Sequence, residues 1–323
     1  MNSNIQTIAI VGAGVIGAGW AARCLHRGID VIVTDISDDA ERGLREVISN
    51  AEPALNNLSL APKKERGTLS FTTNLTEAVS QADFVQENAP EREDLKRNLL
   101  SEISKHVRPD VIIASSSSGL LPSRLQTDCV NPERVIIGHP FNPVYLLPLV
   151  EVLGGEQTDG KYVEQAMEFY KSIGMHPLKV RKEVEGYISD RLQEALWREA
   201  LHMVADGVAT TDEIDQAVIY GPGLRWAFMG TCLTFHLAGG EQGMRHMLEQ
   251  FGPALELPWT KLKAPELTDQ LIDRMVEGTQ EQADGYSIRD LEQLRDNCLV
   301  SIMQSLRSYD YASGKTLKED DER

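Results

Sequence analysis

A glycine-rich segment, Gly12-Ala13-Gly14-Val15-Ile16-Gly17, separates a short β-branched run from residues with helical apolar spacing. It matches G-x-G-x-x-G at a strand-to-helix junction, where glycines allow a tight turn, close approach of backbone to a pyrophosphate, and close helix packing. Asp35 ends the next β-rich run about 20 residues later, where a carboxylate can accept hydrogen bonds from a ribose. The pattern predicts a dinucleotide site; the alternative is a plain tight turn with Asp35 capping the next helix.

The residues around Asp35 indicate which dinucleotide is bound. The carboxylate would repel a 2′-phosphate, and the next residues, Ile36 and Ser37, supply no arginine to bind one. The sequence therefore predicts NAD rather than NADP as cofactor.

Three further residues could move a proton. His139 precedes Pro140, which predicts a turn at the histidine, and Glu151 lies inside the apolar run Leu149–Leu153. A carboxylate within such a strand is costly unless it is paired, and a histidine is a natural partner. The pair would give a general base for alcohol oxidation, and Ser118 could form a hydrogen bond with the substrate oxygen. The alternative is a lone loop histidine and a glutamate facing solvent.

The elements that must position these residues alternate along the first half of the chain. Runs rich in β-branched residues alternate with helical patterns up to about residue 183, and long helical patterns follow. We therefore predict an α/β protein, with an N-terminal Rossmann-type dinucleotide-binding domain and an all-α C-terminal domain. The predicted boundaries are 1–184 for the NAD-binding domain and 185–323 for a helical domain that serves substrate binding and dimerisation.

Composition excludes several functional classes. A hydrophobic content of 41% is typical of a globular protein, and the net charge of −17 argues against nucleic-acid binding. The four cysteines are far apart with no CxxC pair, which predicts no metal cluster, no disulfide framework and a reduced, cytoplasmic chain. No apolar stretch approaches the roughly 20 residues that a membrane span needs. We expect a small-molecule substrate and no membrane partner.

Taken in order, these motifs resemble the 3-hydroxyacyl-CoA dehydrogenase family from about Ile5 to Gly240. The resemblance rests on the glycine segment with Asp35, the serine-rich turn and the segments 139–143, 149–152 and 186–192. It implies that His139 is the base, that Glu151 orients it and that Ser118 contacts both substrate and nicotinamide. It also implies NAD contacts from Glu91, Lys96 and Asn142. Where the family usually has an asparagine that contacts the substrate oxygen, this chain has Asp190.

Segments 142–148 and 223–228 are similar to members of this family that act on free 3-hydroxy acids, which implies L-carnitine as substrate. Its trimethylammonium group requires aromatic faces and acids, and its carboxylate a cation such as Arg225. The aromatic candidates are Phe141, Tyr187, Trp197, Trp226 and Phe228, and the substrate residues expected are Asp190, Trp197, Arg225, Trp226 and Phe141. For each aromatic side chain the alternative is core packing.

Other functions stay open at this stage. The same machinery could oxidise a 3-hydroxyacyl-CoA or L-gulonate. In a different class, the chain could be a non-catalytic, crystallin-like structural protein that binds NAD. The helical domain favours a homodimer.

Overall fold

The computed structural model describes residues 5–57, 65–227, 229–260 and 268–310. The chain divides into two compact units, residues 1–192 and 193–323. All strands of the described residues lie in the first unit: β1 (Thr7–Val11), β2 (Asp30–Thr34), β3 (Leu69–Thr72), β4 (Phe84–Glu87), β5 (Ile112–Ser115), β6 (Val135–Pro140), β7 (Leu149–Gly154) and β8 (His176–Lys179). The elements described in the second unit are all helices, so the predicted α/β class with a helical C-terminal part is confirmed.

The strands form one sheet in the order β3-β2-β1-β4-β5-β6-β7-β8. Neighbouring strands are parallel except β6 and β7, which are antiparallel. The direction of chain progression reverses between β1 and β4, and ligands of such sheets bind at this reversal, beyond the carboxyl ends of the strands. The glycine segment follows β1 and the serine-rich turn follows β5 at this edge.

Helices cover both faces of the sheet. Those of the first unit are α1 (Val15–His26), α2 (Ala40–Asn57), α3 (Leu75–Ser80), α4 (Glu93–His106), α5 (Pro122–Leu125) and α6 (Gly160–Ser172), and α7 (Ser189–Ala205) begins in it. Strand β1 shows the two-residue period, because Ile8 and Ile10 pack with α1, α2 and α6 whereas Ala9 and Val11 pack with α3 and α4. The sheet is therefore buried on both faces.

The strand that carries His139 is longer than the sequence indicates. The sequence predicts a turn at His139, but β6 continues through Pro140, which pairs with Val150 of β7. The bias of a residue before proline toward extended backbone favours this strand as well as a turn. His139 thereby pairs directly with Glu151 across the two strands.

The second unit is built from α8 (Thr211–Ile219), α9 (Pro222–Trp226), α10 (Thr231–Ala238), α11 (Gly243–Phe251), α12 (Asp269–Gln282) and α13 (Ile288–Ser308). Its described core is small, comprising Met229, Leu237, Ala283 and Leu291. None of the helices in the described ranges has the length and apolar character needed to cross a membrane.

A buried histidine links two of these helices. The Nδ1 atom of His236 in α10 accepts a hydrogen bond of 3.1 Å from the backbone amide of Met244 in α11. Burial lowers the pKa of His236 below its ordinary value of 6.5. The accepting nitrogen must stay unprotonated for this contact to persist.

This histidine makes the stability of the second unit dependent on pH. Because the pKa of His236 is lower in the folded chain, the unfolded chain binds the proton first as pH falls, and stability is lost below 6.5 toward the folded value. We expect the wild type to lose more free energy of unfolding than His236→Gln between about pH 7.5 and about pH 5.5, measured by urea denaturation. Substitution of the exposed His202 by glutamine is the control and should match the wild type. An equal loss in wild type and His236→Gln would contradict the assignment.

Candidate active site

The glycine segment folds into a turn in which each of the three positions requires glycine for a different reason. Gly12 has a φ of +99°, and a Cβ at Gly17 would lie 1.9 Å from the Gly12 carbonyl oxygen, so the turn itself requires both. Among the described residues, a Cβ at Gly14 would meet no atom within 4 Å. The described protein atoms therefore do not require glycine at position 14, whereas a pyrophosphate against the backbone would. The first amides of α1 point to the same place.

Asp35 is held against this turn. Its Oδ2 accepts a hydrogen bond of 2.7 Å from the Ala13 amide, and its Oδ1 accepts one of 2.7 Å from the Ile36 amide. Each carboxylate oxygen keeps a further lone pair for a ribose hydroxyl. The apolar side chain of Ile36 is fully exposed beside Asp35 and offers a surface on which the adenine ring of a dinucleotide can pack. These residues fit a bound dinucleotide.

His139 and Glu151 form a buried pair. The His139 Nδ1 and the Glu151 Oε2 are 3.0 Å apart, and the glutamate side chain is 0% exposed. The other oxygen, Oε1, accepts hydrogen bonds of 3.1 Å and 3.0 Å from the amides of Ile188 and Ser189 at the start of α7. A carboxylate at Nδ1 favours a proton on that nitrogen and leaves Nε2 free to accept one.

The pKa of the Glu151 carboxyl reflects two opposing effects. Burial raises it, but the hydrogen bonds from His139 and from the two amides outweigh burial, so the pKa of Glu151 lies below its ordinary value. The carboxylate therefore stays charged at neutral pH. It can stabilise a positive imidazole ring beside it.

The ring of His139 is enclosed by one residue just after β6 and one in the turn before α7. Phe141 and Tyr187 lie with ring centroids 5.0 Å and 5.6 Å from that of the imidazole. Tyr187 has a φ of +45°, which is uncommon for a bulky residue, and its hydroxyl donates to the Leu120 carbonyl at 2.7 Å. Burial raises the pKa of Tyr187. On the open side, the Asp190 Oδ2 lies 3.9 Å from Nε2.

Glu91 holds the serine-rich turn beside the histidine. Its Oε1 accepts hydrogen bonds from the Ser118 amide at 3.0 Å, the Gly119 amide at 3.3 Å and the Ser117 hydroxyl at 2.5 Å. Ser118 and His139 thereby line one cavity of about 270 Å³. The remaining lining residues are Ile16, Asn88, Ala89, Glu91, Lys96, Ser116 and Pro140.

Lys96 lies beneath this cavity in a buried ion pair. Its ammonium group, 1% exposed, donates to both Glu87 oxygens at 2.9 Å and 3.1 Å and lies 3.6 Å from the Glu91 Oε2. The Ser115 hydroxyl also donates to Glu87. Lys96 therefore fixes the base of the loop that carries Glu91, in addition to lining the cavity.

The other predicted residues are more dispersed. Asn142 is exposed just beyond β6. Trp197, Arg225 and Trp226 lie in the second unit, on α7 and α9; Trp197 is 58% and Trp226 45% exposed. Trp197 also lines an apolar groove of about 880 Å³ between α7 and α8. Phe228 lies outside the described residues.

Sequence reasoning missed several residues that build the site. The amides of Ile188 and Ser189 carry no side-chain signal, because the first residues of any helix offer free backbone N–H groups. Glu87 and Ser115 were also missed, because their polar side chains conceal the fully buried ends of β4 and β5. That β4 is buried to its last residue, Glu87, can be recognised only once Lys96 is known to pair with this acid.

Comparisons with known proteins agree along most of the chain. Residues 7–184 match the family described as "3-hydroxyacyl-CoA dehydrogenase, NAD binding domain", and residues 186–287 match "3-hydroxyacyl-CoA dehydrogenase, C-terminal domain". The chain is 57% identical over 307 residues to a Bacillus cereus protein named L-carnitine dehydrogenase, covering 95% of this chain and 94% of that protein. It is 58% identical over 305 residues to a Pseudomonas aeruginosa protein of the same name, covering 94% and 95%.

Solved structures show the same fold. A 5-formyl-3-hydroxy-2-methylpyridine 4-carboxylic acid 5-dehydrogenase, described as an NAD⁺-dependent dismutase, aligns with a TM-score of 0.72 at 28% identity, covering 94% of this chain and 98% of that one. An (S)-3-hydroxybutyryl-CoA dehydrogenase from Ralstonia eutropha aligns with a TM-score of 0.61 at 28% identity, covering 85% and 94%.

The contrast between two glycines gives a test of the cofactor site. Gly14→Ala should leave the free energy of unfolding within about 0.5 kcal/mol of wild type, because its Cβ meets no atom of the described residues. It should weaken NAD binding at least about tenfold, because the Cβ occupies the pyrophosphate position. Gly17→Ala is the matched comparison and should destabilise the fold itself. Calorimetric NAD titration and urea denaturation measure the two effects, and unchanged NAD affinity in folded Gly14→Ala would refute the placement.

Proposed function

The chain belongs to the 3-hydroxyacyl-CoA dehydrogenase family, and from this we propose that it oxidises the 3-hydroxyl group of L-carnitine to 3-dehydrocarnitine with NAD. Membership makes it an NAD-dependent oxidoreductase that acts on a 3-hydroxy acid. The observation that carries the finer proposal is the identity of 57% and 58%, over nearly the full length, to proteins named L-carnitine dehydrogenase. Those names describe the relatives, and the residues below support their extension to this chain.

The step that we assign to the side chains of this chain is removal of the proton from the substrate hydroxyl group. When bound, NAD supplies the acceptor for the hydride that leaves the hydroxyl-bearing carbon. Nε2 of His139 takes the hydroxyl proton, while Glu151 holds Nδ1 and stabilises the imidazolium that forms. Ser118, in the same cavity, donates a hydrogen bond to the substrate oxygen. The hydrogen bonds around Glu151 support this assignment, because they fix one ring orientation.

The cofactor contacts that we assign lie along the strand ends of the first unit. Gly14 and the first turn of α1 face the pyrophosphate, and Asp35 binds the adenosine ribose and disfavours a 2′-phosphate. Toward the nicotinamide we assign the residues around the cavity and beyond β6, namely Glu91, Lys96 and Asn142. The remaining residues of the turn, Gly12, Ala13, Val15, Ile16 and Gly17, complete the binding segment.

The substrate assignment rests on the two charged groups of L-carnitine and on the side chains that can bind them. A trimethylammonium group donates no hydrogen bonds, so aromatic faces and carboxylates must bind it. Phe141 beside His139 and the exposed Trp197 and Trp226 are the aromatic candidates, with Asp190 near the reacting oxygen. Arg225 is assigned to the substrate carboxylate. The net charge of −17 also disfavours the polyanionic CoA.

We also propose a cytoplasmic homodimer that associates through the helical domain. Large apolar side chains of the second unit are exposed among the described residues, including Trp259 at 74%, Phe235 at 48% and Leu201 at 50%. These side chains are available for contact with a second copy of the chain. The free thiols of Cys24, Cys129, Cys232 and Cys298 suit a reducing compartment.

Substrate identity is tested by NADH formation with four compounds. Wild type should oxidise L-carnitine far better than 4-amino-3-hydroxybutyrate, L-gulonate or 3-hydroxybutyryl-CoA, because only carnitine presents a quaternary ammonium group. Trp197→Ala should raise KM for carnitine with little change in kcat, since a contact away from the reacting carbon gives uniform binding. Tyr286→Ala, which removes a similarly exposed aromatic side chain outside the candidate set, is the control. NADH from gulonate or the CoA thioester but not from carnitine would overturn the substrate, and no NADH from any would favour a non-catalytic NAD-binding protein.

The base is tested separately. His139→Ala should lower kcat roughly 10²- to 10⁴-fold while NAD affinity stays near wild type, because the imidazole acts on the proton and not on the cofactor. Glu151→Gln should also lower kcat, since its side chain can donate a hydrogen bond toward Nδ1 and so favour the wrong tautomer. His176→Ala, an exposed histidine on β8, is the control. Near-normal turnover in folded His139→Ala would eliminate the assignment.

A further inference from the structure

Every oxidation leaves a proton on His139, and that proton must reach water before the next turnover. The inference below rests on the proposed role of His139 as base. The imidazole is poorly placed to release the proton itself, because its side chain is 7% exposed. A route from this ring to solvent is therefore part of the machinery that the reaction requires.

The Nδ1 side of the ring offers no route. Glu151 is 0% exposed, its Oε2 is bonded to Nδ1, and its Oε1 accepts the two amides at the start of α7. A proton moved to this carboxylate would remain buried and would weaken those hydrogen bonds. Glu151 therefore holds the ring and does not carry the proton away.

The rings that enclose the imidazole also offer no route. Phe141 has no titratable group, and the Tyr187 hydroxyl is engaged with the Leu120 carbonyl. Among the other titratable groups that line the cavity, Glu91 is bound to the serine-rich turn and Lys96 is paired with Glu87. Each of these is committed to holding the structure of the site.

Asp190 has the two properties that a proton route needs. Its Oδ2 lies 3.9 Å from Nε2, the nitrogen that receives the substrate proton, and its side chain is 29% exposed. It stands at the first turn of α7, immediately after the amides that bind Glu151. The same short segment thus binds Glu151 on the Nδ1 side of the His139 ring and places a carboxylate on the Nε2 side.

We propose that Asp190 receives the proton from the His139 imidazolium and passes it to bulk water. The Nε2–H bond breaks, an O–H bond forms on the Asp190 carboxylate, and the proton then moves to water, leaving a neutral imidazole and a carboxylate. No electrons are exchanged with any other group. Because 3.9 Å exceeds a direct hydrogen bond, transfer uses one bridging water or a small movement of either side chain.

The test compares the appearance of NADH with the release of protons in stopped flow. In wild type, a pH-indicator dye in weak buffer should report proton release in step with NADH. In Asp190→Asn, which cannot accept a proton, the first NADH should form, proton release should lag by at least about tenfold, and kcat should fall. Raising the concentration of a small diffusible buffer such as imidazole should restore the rate, which a merely structural defect would not allow.

Matched variants keep the result interpretable. Asp190→Glu should retain synchronous proton release, and Glu168→Gln, at an exposed carboxylate on α6 paired with Lys171, should behave as wild type. If Asp190→Asn fails to fold by circular dichroism, Asp190→Ser serves the same test. Proton release in step with NADH in the folded variant, with no effect of buffer concentration, would overturn the proposal.

Failure of the proposed function gives a different result. If wild type yields no NADH with L-carnitine, the substrate assignment fails, and the proton measurement proceeds with whichever of L-gulonate or 3-hydroxybutyryl-CoA the wild type oxidises. The proton route depends on the hydroxyl and on His139, not on the group at the other end of the substrate. The two proposals therefore stand or fall separately.

Discussion

The buried carboxylate of Glu151 is the constraint on which the site depends. A charge removed from water in the middle of a strand is stable only if donors surround it, and here they come from a neighbouring strand and from the start of a helix. The antiparallel pairing of β6 with β7 is required because it sets His139 directly opposite Glu151. The beginning of α7 is required because only free helix amides can satisfy the second oxygen.

A second buried network positions the other half of the site. Gln86 of β4 bonds to the Ser116 hydroxyl, the Gly138 carbonyl and the Tyr170 hydroxyl, while Glu87 bonds to Lys96 and Ser115. These contacts tie the ends of β4, β5 and β6 together at the edge where the glycine turn also lies. Breaking a buried charge pair such as that of Glu87 and Lys96 costs about 3 to 5 kcal/mol, so the geometry is held rigidly.

The sequence predicts the fold class and the glycine turn because both depend on local patterns: two-residue and helical periodicities, and glycines at fixed spacing. It also predicts the partnership of His139 with Glu151, since an acid within an apolar strand demands a partner. It does not predict that β6 runs through Pro140, because one proline is compatible with both a turn and an extended strand. Edge strands such as β3 and β8 escape detection because they are short and only partly buried. The hydrogen-bond donors to Glu151 and Glu87 are not predicted, because only tertiary contacts bring them to these carboxylates.

The turn at Gly186 and Tyr187 has a consequence for how this chain can be divided. The two family segments meet between residues 184 and 186, which is where a protein engineer would cut to express the halves separately or to exchange them between relatives. The amides that neutralise Glu151 come from residues 188 and 189, beyond that cut. A fragment ended there would keep a buried anion without two of its donors, and a single inserted residue would rotate the helix that follows by about 100° relative to its anchor. The buried pair of His139 and Glu151 therefore depends on the junction of the two segments, and any recombination must keep that junction intact.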